Sequence, residues 1–214
     1  MKITWKKIRM GIAMGFVLCL LNGCSETELE ERCFPMMAAV GYEDDEVTFV
    51  LGFPNSNSSG DSQSSIGKIE VPVAKGSDFK QSKENYESHL NKYADYNHLK
   101  VFVIEEDFLE ERKKYAKMLD YLALREEFPR NTYVCVVEDL DELLELEKNL
   151  PQDIGTYLEE FLSHRQNNSD KLLTIGDLMD EKENQNIPMH LPYLEIEENY
   201  VEQKGYVNIN GKNW

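Results

Sequence analysis

The amino-acid sequence predicts a mixed α/β domain: an antiparallel hairpin, then a βαβ core with flanking helices. Three observations carry this. Apolar residues alternate at period two through Val47, Phe49, Leu51 and Phe53, the pattern of a half-buried strand. Two runs, Leu99 to Ile104 (apart from Lys100) and Thr132 to Val137, are nearly continuous and apolar, as strands covered on both faces are. Between them Tyr115, Met118, Leu119 and Leu122 keep the i, i+3, i+4, i+7 spacing of a helix lying on a sheet.

The elements follow in order. Ser25 to Glu31 is acidic and reads as a brief tether or an opening helical turn. Met36 to Tyr42 reads as a strand, Glu43 to Glu46 as a polar turn, and Val47 to Phe53 as the antiparallel return. Pro54 to Ser65, dense in Ser, Asn and Gly, reads as a loop. Ile66 to Val73 alternates again, and Pro72 pushes that strand toward a sheet edge. Phe79, Tyr86, Leu90 and Tyr93 share one helical stripe, which predicts a helix over Asp78 to Ala94. Asp107 and Glu110 have the spacing of a capping box for the helix after the first buried strand. Strand, helix, strand at this spacing predicts a parallel, right-handed crossover. Asp139 to Asn149 predicts a capped helix, and Pro151 opens another with Ile154, Tyr157, Leu158, Phe161 and Leu162 on its stripe. Gln166 to Asp170 reads as a polar loop, and Thr174 and Asp177 as the cap of a short helix. Pro188 and Pro192 predict irregular chain, and short strands near Leu194–Glu197 and Tyr206–Ile209 are expected to close the sheet.

The N-terminus predicts where the chain works. Lys2, Lys6, Lys7 and Arg9 precede an uncharged apolar run from Met10 to Leu21. That run is shorter than the roughly 20 residues a spanning helix needs, and it has the length of a signal-peptide core. It ends in Leu21-Asn22-Gly23-Cys24, which suits a peptidase that cuts ahead of a lipid-modified thiol. The expected organisation is a lipoprotein signal peptide over 1–23, a short tether over 24–35 beginning at lipidated Cys24, and one α/β domain over 36–214. Losing residues 1–23, with four basic and no acidic side chains, takes the formal charge from −17 to −21. Such a surface repels nucleic-acid phosphates and does not lie flat on anionic lipid, so attachment falls to the acyl chains.

Candidate chemistry is sparse. Cys19 leaves with the signal, which makes Cys33 and Cys135 the remaining thiols; Cys135, within Tyr133-Val134-Cys135-Val136-Val137, reads as a small buried hydrophobe. A Cys33–Cys135 bridge is left open by the spacing. No cysteine or histidine cluster has zinc-ligand spacing, and no phosphate loop, dinucleotide fingerprint or hydrolase elbow is present. Glu105, Glu106 and Asp107 end a buried strand, where open α/β sheets often bind ligands. They could bind a cation or act as acid and base, but acids dressing a helix N-terminus account for them better. His98, before the buried strand, reads as structural; His89 and His164 read as solvated, and His190 lies between prolines. Two glycosylation-like sequons at Asn57 and Asn167 mark loops, and Asp139 to Glu147 reads as an amphipathic helix with a solvated acidic face.

Several segments resemble one family, the C-subunit lipoproteins of spore nutrient-germinant receptors, often written Ger(x)C. The likeness runs through the lipobox, Glu28-Leu29, Ala38-Ala39-Val40-Gly41-Tyr42 with its acidic turn, and Gly76-Ser77-Asp78-Phe79. It is sharpest in Tyr93-Ala94-Asp95-Tyr96-Asn97-His98-Leu99-Lys100-Val101, and continues in Arg130-Asn131-Thr132 and Asp153-Ile154-Gly155-Thr156-Tyr157-Leu158. Ser25-Glu26 depart from the Trp-Asp-like pair usual after the lipid cysteine. The resemblance covers the N-terminal domain of the family's longer members. It implies a membrane-tethered, non-enzymatic accessory subunit in an endospore former. Lipid on Cys24 would hold it on the outer face of the spore inner membrane, beside polytopic receptor subunits. It implies no cofactor, no metal and no catalytic residue. Two other classes are weighed beside it: an envelope lipoprotein that binds a small molecule, and an envelope hydrolase using Glu105, Glu106 or His98. The lack of two similar lobes speaks against the first.

Overall fold

The computed structural model describes Trp5 and residues 29–54, 73–165, 172–181 and 190–209. The chain divides into two units, Met1–Glu31 and Arg32–Trp214. Of the first, Leu29–Glu31 forms a 3₁₀ turn. The second holds the sheet and all that follows.

Seven strands form the main sheet, in the order β4 (Ala74–Gly76), β3 (Glu46–Gly52), β2 (Met37–Glu43), β6 (Val101–Glu105), β7 (Tyr133–Val137), β8 (His190–Ile196) and β9 (Val201–Asn208). Strands β2, β6, β7 and β8 run parallel, and β3, and β9 at its edge, run against them. The parallel strands therefore begin at one pole of the sheet and end at the other. A separate parallel pair joins β1 (Arg32–Cys33), which precedes β2, to β5 (Tyr93–Ala94), which precedes β6.

The hairpin closes as the sequence predicts. Asp44 and Asp45 both take left-handed backbone, φ 53° and 66°, which a two-residue hairpin turn of matching twist requires. Both faces of the sheet are covered. Phe49, Phe102, Ile104 and Val136 pack with helices α1 (Phe79–Ser88), α3 (Arg112–Leu124) and α6 (Ile175–Glu181). Ala39, Val50, Val103, Cys135 and Val137 pack on the other face with α4 (Leu140–Asn149) and α5 (Ile154–Arg165). The architecture is a three-layer α/β/α sandwich, and the βαβ unit is β6, α2 (Glu106–Glu110) with α3, then β7.

Several expectations need correcting. β3 is buried on both faces, because α5 covers the side its alternation left polar; Gly52 meets Ile154 there. The helix expected over Asp78 to Ala94 stops at Ser88, because Tyr93 and Ala94 pair with Arg32 and Cys33 instead. The crossover helix starts at Glu106, not behind Asp107, and breaks at Glu111, where ψ is 61°. α5 starts at Ile154, capped by Asp153, rather than at Pro151. Pro192 lies inside β8, not in irregular chain; parallel pairing to β7 begins one residue later, so its missing N–H leaves that ladder intact. The last two strands are longer than expected and form a hairpin. The loop after Pro54, the strand expected over Ile66 to Val73 as far as Pro72, the Gln166–Asp170 loop, Pro188, both sequons, the signal segment apart from Trp5, and Cys24 lie outside the described residues; Val73 itself is not in a strand, and β4 begins at Ala74.

Candidate functional site

At the pole where the parallel strands end, Glu105 is the last residue of β6. Its Oε2 accepts the Tyr42 N–H at 2.8 Å, and its Oε1 accepts the Leu140 N–H at 3.0 Å. One carboxylate thus joins the end of β2 to the start of α4. Gly41 makes the room: a Cβ there would sit 2.5 Å from Glu105 Oε2 and 2.7 Å from Thr48 Oγ1. Burial pushes the Glu105 carboxyl up, the two N–H donors pull it down, and the charges of Asp139 and Asp107 push it up again, for a net rise. Asp139 completes the cap, accepting from the N–H groups of Asp141 (2.7 Å) and Glu142 (3.3 Å). The two acids therefore satisfy the opening amides of α4, which have no partner within the helix. Glu106 accepts from the Tyr193 hydroxyl at 2.9 Å, tying the start of α2 to β8. Asp107 is exposed. Two members of the predicted acidic trio thus brace the end of β6 and the start of α2. Among the described residues no group of three or more His, Cys, Asp or Glu is arranged to hold a metal ion.

The segment from Tyr93 to Val101 is also structural. Asp95 accepts from the Asn97 N–H at 3.1 Å and pairs with Arg32 at 2.9 Å. Burial alone would raise its carboxyl; the Arg32 and Asn97 contacts outweigh burial and hold it below the usual range. Tyr96 is buried and donates to Glu87 at 2.7 Å. Beside it the buried Lys83 ammonium bridges Glu87 (2.8 Å) and Glu127 (2.7 Å), over the Tyr96 ring. His98 is exposed and stands edge-on to Phe34, ring centres 5.0 Å apart. His89 ends α1 with Nδ1 2.7 Å from the Asn85 carbonyl, and His164 and His190 are exposed.

The other family-like motifs have local reasons too. Asp78 caps α1 through the Gln81 N–H, while Gln81 accepts from Ser77 N–H, a reciprocal cap. Arg130 holds α6 through Asp180 and the Gly176 carbonyl. Gly155 lets α5 approach the Met36 backbone more closely than any side chain would allow. Thr174 and Asp177 cap α6 reciprocally, as predicted. Cys33 and Cys135 are both buried and free, and burial pushes the Cys135 thiol up to about 12.

The opposite pole is where the chain enters. Arg32 and Cys33 pair with Tyr93 and Ala94, then Phe34 to Met36 lead into β2. Tyr93 and the end of α3 present large apolar surface there: Tyr93 is 68% exposed and Leu124 82%. Sequence reasoning missed both. Tyr93 falls on the α1 stripe and reads as core until β1 claims its backbone. Leu124 lies off the stripe of α3, a signal the spacing did carry.

The family model described as the spore germination protein N-terminal domain matches residues 25–196, from the segment before β1 to the end of β8. The chain belongs to this family. No curated protein and no solved structure is matched by the chain. Spore germination is therefore the process in which this domain takes part. The match spans every helix of the sandwich and all of its strands except β9, so the fold up to β8, not an isolated motif, is the family's. Among the described residues of this spore germination domain, no helix is long and apolar enough to cross a membrane.

Proposed function

We propose that the chain is a lipid-anchored accessory subunit of a spore nutrient-germinant receptor, acting by protein contact rather than turnover. The observation that carries this is the family match over the sandwich as far as the end of β8, which begins one residue after Cys24. The basic start, the apolar run and Leu21-Asn22-Gly23-Cys24 support lipidation of Cys24 after removal of residues 1–23. Glu105, Glu106 and Asp139 are committed to strand and helix ends, which supports a contact role over acid–base chemistry. The partners are polytopic membrane subunits of the receptor, met on the outer face of the spore inner membrane. A membrane tether raises the effective concentration of those partners, so weak contacts suffice.

The test is metabolic acyl labelling with membrane fractionation of wild type and Cys24→Ala. The wild type is expected to carry label, stay with membranes and co-purify with polytopic subunits from detergent extracts. An unlabelled wild-type chain, or one that leaves the membrane as readily as Cys24→Ala, overturns the reading.

A further inference from the structure

We infer that the pole carrying Tyr93 and Leu124 faces the lipid headgroup layer, with the acidic pole held away from it. The inference rests on the lipidation of Cys24 proposed above. Cys24 is eight residues ahead of Arg32, the first residue of β1. Fully extended, eight residues reach at most ~29 Å. A folded unit of this length has a radius of gyration of about 16 Å, so the path over its surface from pole to pole is roughly 60 Å. The tether is therefore too short to bring the far pole down to the bilayer.

Surface chemistry agrees with the geometry. The far pole carries Glu43, Asp44, Asp45 and Glu46 in the hairpin, where Lys75 pairs with Glu43 and Asp44, and Glu138, Asp139, Asp141 and Glu142 ahead of and within α4. Anionic lipid repels such a surface. The near pole joins the exposed Tyr93 to Lys92, and the exposed Leu124 to Arg125, with Glu126 exposed beside the latter. The order of the chain puts both pairs there. α1 and α3 each start at the far pole and run back, delivering Lys92-Tyr93 ahead of β6 and Leu124-Arg125 ahead of β7. A tyrosine beside a lysine, and a leucine beside an arginine, suit the boundary between acyl chains and phosphates. The occupant is the lipid surface itself, not a groove in a protein partner.

The test uses the full chain, processed and lipidated, in phosphatidylcholine–phosphatidylglycerol vesicles whose headgroups carry a quencher. Fluorophores are placed on Tyr93→Cys, Leu124→Cys or Glu142→Cys; the native Cys33 and Cys135 are buried and leave the added thiol as the reactive one. Flotation, compared with Cys24→Ala, reads the anchor; quenching within the floated protein reads orientation. Quenching is expected to be several-fold greater at 93 and 124 than at 142. Equal quenching at all three positions, or greater quenching at 142, overturns the orientation while leaving the anchor standing. Failure to float overturns the anchor and the orientation with it. A soluble peptide quencher that reaches 142 but spares 93 and 124 gives independent support, and the reverse pattern refutes it.

Discussion

Glu105→Ala removes the carboxylate that joins β2 to α4, and the Tyr42 and Leu140 N–H groups lose their acceptor together. Hydrogen bonds to charged groups contribute about 1.5–3 kcal/mol each, and an amide left buried without an acceptor costs about 1–3 kcal/mol. Two bonds thus bracket a gross loss of roughly 3–6 kcal/mol. Burial leaves the ionised carboxylate poorly solvated and pushes its pKa up, and deleting it returns part of that cost. A net loss of about 2–3 kcal/mol follows, or ~5–10 °C in Tm for a domain of this size. Gly41→Ala attacks the same contact from the other side, because its Cβ would occupy the space of Glu105 Oε2. The two substitutions should therefore couple: the double variant is expected to lose clearly less than the sum of the singles. Urea denaturation followed by circular dichroism reads all four proteins. Glu105→Ala unfolding at the wild-type midpoint, or strict additivity of the pair, would refute the bracing role. The direction of the Glu105 pKa shift fixes a sign as well. A carboxyl raised in the folded state costs stability when ionised, so the wild type gains on Glu105→Gln as pH falls through the folded value toward and below 4.5.

Other expectations follow from the same contacts. Lys83→Met strands two carboxylates around a buried site and should cost about 2–4 kcal/mol in denaturation, less than for a fully buried pair because Glu87 and Glu127 are each part-exposed. Burial opposes the Lys83 charge, but Glu127 and Glu87 outweigh burial and raise its pKa. Its contribution is complete below 10.5 and is lost as pH climbs through the higher folded value, so wild type should lose its advantage over Lys83→Met only in strong alkali. Arg32→Ala frees Asp95 and is expected to loosen β1 from β5, read as faster amide exchange at Ala94 and Asp95 with little change in the main sheet. Neither Cys33 nor Cys135 should react with a thiol reagent in the native protein, and both should react in urea; prompt native labelling of Cys135 would contradict its burial.

The central sandwich was legible because its signals are local and strong. The runs at Leu99–Ile104 and Thr132–Val137 are too apolar to sit anywhere but between two helical layers, and β6 and β7 are both buried there. Asp139, ahead of its leucine stripe, and Thr174 with Asp177 marked their helix starts by capping chemistry. Misreadings arose where a distant segment decides the outcome. Nothing near Tyr93 shows that Arg32 will pair with it, so a continuous stripe read as one long helix. Nothing near Val50 shows that α5 will cover it, so β3 read as half-exposed. At the acidic strand end, residue type was visible but commitment was not. Glu105 reads as a free carboxylate until Tyr42 and Leu140 are seen to share it.

Nutrient-triggered germination decides whether the chain serves a germinant receptor. Spores lacking this gene, and any longer paralogue, would be complemented with wild type or with Cys24→Ala and followed by loss of optical density after nutrient addition. Germination is expected to slow in the deletion and to be restored by wild type but not by Cys24→Ala. Spores that germinate at the wild-type rate without the gene and its paralogue would contradict a receptor role. Full rescue by Cys24→Ala would contradict the need for the anchor.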